Sequence, residues 1–157
     1  MAMEMHVFSD RQLNSTAEWQ RAVDQQGWPL KFSEEAVFDT ARGFFPSKLK
    51  GEPTGFECYH DDAQKMMQSY GRDHFHNNWK YALGFRWRGN FAELQTAWIA
   101  AAAYARATSG VVFDPEAGRS YTPSQAERVI RDFVDHSADI EAVARQVAVE
   151  MLAKRVK

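Results

Sequence analysis

The sequence predicts a single α+β domain over residues 1–157, with a mostly antiparallel or mixed sheet of four to five strands, helices packed against it and a C-terminal helix. Three observations lead to this class. One segment, 79–88, alternates between apolar and other residues, as a half-buried strand does. Helix N-cap signals recur along the chain. The length of 157 residues and a composition of 45% hydrophobic and 25% charged residues suit one globular core.

The helices are predicted from capping boxes, in which a side-chain acceptor is followed three positions later by Glu or Gln. Four pairs fit this pattern: Ser15 with Glu18, Asp61 with Gln64, Asn90 with Glu93, and Thr122 with Gln125. Two further helices are expected, one over 34–42 capped by Ser33 and a closing helix capped by Ser137. Because each predicted helix carries apolar residues at helical spacing, we expect one face of each to pack on the sheet.

The strands are predicted mainly from alternation. In 79–88, Trp79 and the odd-numbered residues form an apolar face, whereas Lys80 and the even-numbered residues form the other face. This one-sided pattern favours an antiparallel or mixed sheet over a doubly covered parallel one. Residues 54–60 form a second candidate, and the weaker ones are 4–8, 28–32 and 110–114. Residues 43–55, rich in Gly and Pro, are expected to form a loop.

Composition also narrows the function. The formal net charge of −2 gives no basis for nucleic-acid binding, and the basic face of 79–88 lacks the aromatic rings on which bases stack. The longest apolar run, 97–105, is about half the length that spans a bilayer. The N-terminus lacks a secretory signal pattern and Cys58 is the only cysteine. We therefore expect a cytoplasmic protein without nucleic-acid or membrane partners.

A cluster of reactive groups, GFECYHDDAQ at 55–64, raises the question of catalysis. Cys58 and His60 lie two apart on one predicted strand face, and His74 and His76 follow in the segment RDHFHNNW. With His60 or Asp73, these two histidines would supply three ligands for a metal ion. This gives one alternative, a small metal- or thiol-dependent hydrolase using Cys58, His60, His74 and His76. No nucleophile elbow or phosphate loop is present in the sequence, so we favour a protein without catalysis and without a cofactor.

The aromatic content of 13% points instead to a binding surface. Exposed aromatic residues are frequent interface anchors. The candidates outside the clear core stripes, together with acidic residues that could face a cationic target, are Trp28, Phe44, Phe45, Tyr59, Phe75, Glu34, Glu35 and Asp39. Phe44 and Phe45 fall in the predicted loop, and loops often carry binding residues.

Residues 97–126 add a resemblance. An Ala-rich helix there runs through a Ser-Gly stop, the strand VVFD and the turn DPEAG to a capped helix. This arrangement resembles small bacterial α+β domains of the immunity type, found in toxin and immunity systems. The resemblance implies a protein that neutralises a toxin or effector by occluding its active site, and it assigns no role to an individual residue. A homodimer remains a third alternative.

Overall fold

The computed structural model describes residues 2–34 and 42–135. The described part of the chain forms one antiparallel sheet of seven strands with helices on both faces. The strands are β1 Ala2–Ser9, β2 Leu30–Phe32, β3 Arg42–Leu49, β4 Glu52–Asp61, β5 Tyr81–Arg88, β6 Val111–Asp114 and β7 Arg119–Tyr121. Their spatial order is β2-β3-β4-β5-β1-β6-β7. The α+β class and antiparallel sheet are therefore confirmed, but the expected count of four to five strands is wrong.

Four helices accompany the sheet: α1 Thr16–Gln25, α2 Ala63–Tyr70, α3 Phe91–Thr108 and α4 Pro123–Asp135. A short 3₁₀ turn, Arg72–His74, follows α2. The chain therefore ends, within its described part, on a helix. The helix predicted from Ser137 lies outside the described residues, as does nearly all of the one predicted over 34–42. None of the described helices is long and apolar enough to cross a membrane.

Three of the predicted capping boxes begin helices where expected. The Ser15 side chain accepts from the Glu18 amide, and the Asn90 side chain accepts from two amides at the start of α3. Thr122 and Gln125 exchange reciprocal hydrogen bonds at the start of α4. These local signals were sufficient because each cap satisfies backbone donors within its own first turn.

The cap predicted at Asp61 is wrong by one residue. Asp62 caps α2, and its carboxylate accepts from the Lys65 amide at 3.1 Å. Asp61 is instead the last residue of β4 and lies opposite Ala82 in β5. Continued pairing with β5 holds Asp61 in the strand and moves the start of the helix to Ala63.

The predicted loop at 43–55 is also wrong, because these residues form most of the β3–β4 hairpin. The pairing runs from Arg42 opposite Tyr59 to Leu49 opposite Glu52. Lys50 and Gly51 connect the strands, with φ of 52° and 81°, as a two-residue hairpin turn requires. The glycine and proline residues of this segment suggested a loop. Pro46 is nevertheless part of β3, and it lies outside the three residues of β3 that pair with β2.

The first face of the sheet carries the main core, under α1 and α3. The Trp19 side chain is fully buried there, and its indole donates to the Ala100 carbonyl at 2.9 Å. Residues 100–103, all alanine, are completely buried, and small side chains let α3 lie close to the sheet. α4 then packs on α3.

The second face carries a smaller core under α2. Its buried members are Phe8, Ala63, Met67, Trp79, Ala82 and Phe113. Trp79 was expected on the main-core face, but it precedes β5 and packs on the opposite side of the sheet. Ala82 was predicted on the face of 79–88 that carries Lys80, but it is buried in this smaller core.

Candidate functional site

Among the described residues, the second face of the sheet is covered by α2 at one end and by no helix at the other. Alternation from the core residues Phe45 and Phe56 fixes which side chains of the β3–β4 hairpin belong to this face. We call its uncovered part the open half, which consists of Lys31, Phe44, Pro46, Lys48 and Glu57. All except Pro46 are exposed, and Pro46 is partly buried.

Phe44 is the main apolar feature of the open half. Its side chain is 63% exposed, compared with 39% for Tyr81, the other exposed large hydrophobic residue of the described chain. The Phe44 ring lies against Gly55 of β4, where a Cβ atom would come within 2.6 Å of the ring carbon Cε2. Glycine at 55 therefore gives the ring a flat backbone surface to rest on.

Two grooves meet at Phe44. The larger, of about 730 Å³, is lined by the end of β2, residues 33–34, the β3–β4 hairpin and Glu93. The smaller, of about 360 Å³, lies between β4 and the end of β5 and includes Arg86 and Arg88. Both Phe44 and Glu93 line both grooves. This junction combines an exposed aromatic ring with charged groups.

Arg86 is held in place beside the smaller groove. Its Nε atom lies 3.4 Å from a carboxylate oxygen of Glu4, and its guanidinium lies 5.1 Å from the centre of the Tyr59 ring. Burial raises the pKa of Tyr59 to about 12, with Arg86 acting in the opposite direction. Half of the Arg86 side chain remains exposed, at 50%, so the arginine is ordered and still accessible.

A polar network lies on the covered half, between α2 and the sheet. His6, which is 1% exposed, places Nε2 3.0 Å from the Tyr70 hydroxyl. Tyr70 in turn donates to Glu4 at 2.9 Å. The other ring nitrogen, Nδ1, lies 3.4 Å from Asp61. The two Tyr70 contacts fasten α2 to the sheet, and His6 itself is buried.

Gly84 makes room for this network. A Cβ atom there would lie 2.6 Å from both an Asp61 carboxylate oxygen and the Tyr59 ring. Since neither side chain could keep its place beside a larger residue, the glycine sets the positions of both.

The structure separates the five aromatic candidates predicted from the sequence. Phe45 is 3% exposed and belongs to the main core, and Trp28 packs partly buried against it. Phe75 packs against Phe8 and Phe113 in the smaller core. Tyr59 is partly buried beneath Arg86. Only Phe44 among the five is largely exposed. Of the acidic candidates, Glu34 is exposed, and Glu35 and Asp39 lie outside the described residues.

The predicted catalytic groups lie in different surroundings in the part of the chain that the structure describes. The Cys58 side chain is completely buried, and burial raises the pKa of its thiol, whereas a nucleophile needs the thiolate. His60 is exposed at the end of β4, His74 packs near Phe113, and His76 lines a separate cavity beside Arg106. Residues 2–34 and 42–135 contain no group of three or more His, Cys, Asp or Glu placed to hold a metal ion.

Sequence reasoning missed three members of the polar network, Glu4, His6 and Tyr70, and assigned the fourth, Asp61, to a helix cap. Tyr70 and Glu4 are 66 positions apart, and Tyr70 and His6 are 64 apart. Local spacing carries no signal for such a contact. The one available hint was Glu4 and His6 at alternate positions in a predicted strand.

Comparisons with known proteins leave the family open. No family model matches the chain, and no curated protein matches it. The immunity-type resemblance of residues 97–126 therefore remains a prediction, and the function has to be inferred from the geometry.

Proposed function

We propose that this chain is a non-catalytic protein-binding module whose partner docks on the open half of the sheet, centred on Phe44. The exposure of Phe44, at 63%, is the observation that carries the proposal. Aromatic side chains at the centre of an interface supply a large share of binding energy. The ring already lies against Gly55, so little side-chain freedom would be lost when a partner covers it.

The surroundings of Phe44 suit such an interface. Exposed charged residues, Lys31, Lys48, Glu57 and Arg88, stand around the ring. Charged groups at the rim of an interface set association rate and specificity more than affinity. Arg86 adds a partly exposed arginine fixed by Glu4 and Tyr59, and arginine is enriched among residues that dominate binding.

The particular function we propose is that of an immunity protein, which would neutralise a bacterial toxin in the cytoplasm by occluding its active site. Support comes from the resemblance of residues 97–126 and from the exposed aromatic surface. An inhibitor of this kind would bury ~1,600 Å² in total with its toxin. The hydrolase alternative has no comparable support, since Cys58 is buried in the main core.

The test uses Phe44→Ala with Tyr81→Ala as the matched control. Tyr81 is the other exposed large hydrophobic residue of the described chain, at the start of β5. The genes adjacent to this one are first searched for a toxin domain; the purified product of such a gene is the binding partner, and affinity is measured by calorimetry. We expect Phe44→Ala to weaken binding ~30-fold or more, as loss of a central anchor does, and Tyr81→Ala to leave binding unchanged. Coexpression with the toxin should show the same order in rescue of growth.

Equal affinity for the wild type and Phe44→Ala would refute the proposed surface. The solution mass of the isolated chain tests the homodimer alternative. A dimer that dissociates in Phe44→Asp would mean that a second copy, and not a toxin, covers the open half.

A further inference from the structure

We infer that the junction of the two grooves receives a basic side chain of the partner, specifically an arginine, against the Phe44 ring. This inference rests on the proposed function, because it names the chemistry of the group that docks there. Three features of the junction support it: the exposed ring, the carboxylates around it, and the pairing of the nearby cations.

The Phe44 ring offers a surface for a cation. Its contact with Gly55 holds the ring along the sheet, and most of the side chain stays open to solvent. A cation over an aromatic face is attracted by the negative charge density of the ring. A guanidinium can also stack flat on such a ring, which an ammonium cannot.

Three carboxylates, those of Glu34, Glu57 and Glu93, line the grooves that meet at Phe44. Glu57 lies directly opposite Phe44 in the hairpin register. It is exposed and makes no ion pair or hydrogen bond within the described residues. Glu93 uses one oxygen to accept from the Arg88 amide at 3.0 Å, which leaves its other oxygen available. Glu34 is exposed at the end of the larger groove. An arginine at the junction could therefore form a charge-assisted hydrogen bond while stacking on Phe44.

Two of the cations that line the grooves are already neutralised. Lys31 pairs with Asp24 at 2.8 Å, and Arg86 pairs with Glu4. Although Arg86 is the register partner of Glu57 in β5, its guanidinium contacts Glu4 and Tyr59. Lys48 and Arg88 remain without an acidic partner in the described chain, against Glu34, Glu57 and the second oxygen of Glu93. Among the described residues that line the two grooves, the unpaired charge is therefore more acidic than basic.

The probe is N-acetyl-arginine methylamide, titrated into the protein and followed by the amide resonances of residues 42–61 and 86–93. Its uncharged isostere, the citrulline derivative, and the acidic glutamate derivative are titrated in parallel. We expect the arginine probe to shift the resonances near Phe44 and Glu57, and the other two to bind more weakly. Phe44→Leu should weaken binding about two- to fivefold through loss of the cation interaction.

Glu57→Gln supplies the second measurement, with Glu52→Gln as its control because Glu52 is exposed on the same strand and lines neither groove. Glu57→Gln should weaken binding of the arginine probe and of the toxin, and Glu52→Gln should not. If citrulline or glutamate binds as well as arginine, and Glu57→Gln leaves the toxin affinity unchanged, the inference fails. The proposed function would still stand in that case, provided that Phe44→Ala weakens toxin binding ~30-fold or more.

Discussion

Phe8 and Phe44 lie on the same face of the same sheet, yet one is completely buried and the other is 63% exposed. The difference is α2, which packs over parts of β1, β5 and β6, whereas no described helix covers this face of the β3–β4 hairpin. Under α2, aromatic side chains pack together and polar groups pair with one another. Outside it, the same face presents an aromatic ring and charged residues to solvent. One face therefore serves stability at one end, and we propose that it serves binding at the other.

Phe8→Ala tests the covered half and should have the largest effect on stability of the substitutions on this face of the sheet. The Phe8 ring packs against Phe75 and Phe113, at centroid distances of 4.9 and 6.1 Å. We expect a loss of about 3–5 kcal/mol in the free energy of unfolding, because the cavity would lie under α2 and the sheet cannot close around it. Urea denaturation measures it. A loss below ~1 kcal/mol would show that α2 does not seal this half.

Tyr70→Phe tests the polar network that fastens α2. The substitution removes the hydroxyl between His6 and Glu4 and leaves the buried imidazole without that partner. We expect a loss of about 1–3 kcal/mol, the cost of leaving a buried polar group unpaired, with faster hydrogen exchange in α2. Tyr121→Phe is the control, since the Tyr121 hydroxyl makes no hydrogen bond within the described chain. If the two variants unfold at the same urea concentration, the network adds nothing to the docking of α2.

Tyr59 lies at the border between the two halves, and its raised pKa predicts a loss of stability at alkaline pH. Burial raises the pKa of Tyr59 from 10.0 to about 12 in the folded protein. Between these values the unfolded chain has lost the phenolic proton while the folded chain retains it. The free energy of unfolding is therefore unaffected by ionisation of Tyr59 below pH 10, and it falls as the pH rises from 10 toward 12.

The measurement compares urea unfolding of the wild type and Tyr59→Phe at pH 9 and at pH 11. The wild type should lose more stability over this range than the variant does. Tyr104 also has a pKa raised by burial to about 12, so part of the alkaline loss should remain in Tyr59→Phe. If the free energy of unfolding falls equally between pH 9 and pH 11 in the two proteins, Tyr59 does not have the buried environment described.

Much of this comparison was predictable from sequence, and its missing parts have physical causes. Residues 54–60 were correctly predicted as a strand, since they lie within β4, and capping boxes located three helices. The β3 strand was missed because Pro46 and nearby glycines are typical of loops, whereas pairing with β4 holds them extended. That error also hid the alternation that separates Phe44 from Phe45. The cover over Phe8 was beyond local reasoning, since it depends on where a later helix packs.

Phe44→Ala should have the smallest effect on stability. Phe44 and Phe45 are sequence neighbours, but Phe45 is 3% exposed and stacks with Phe56 at 5.5 Å in the main core. We expect Phe45→Ala to cost about 3–5 kcal/mol and Phe44→Ala to stay within ~0.5 kcal/mol of the wild type. Urea denaturation of both variants measures the difference. A large loss for Phe44→Ala would mean that its ring stabilises the hairpin by covering Gly55, and weaker partner binding could then follow from unfolding. If Phe44→Ala loses little stability, weaker partner binding by this variant can be attributed to the missing ring and not to unfolding.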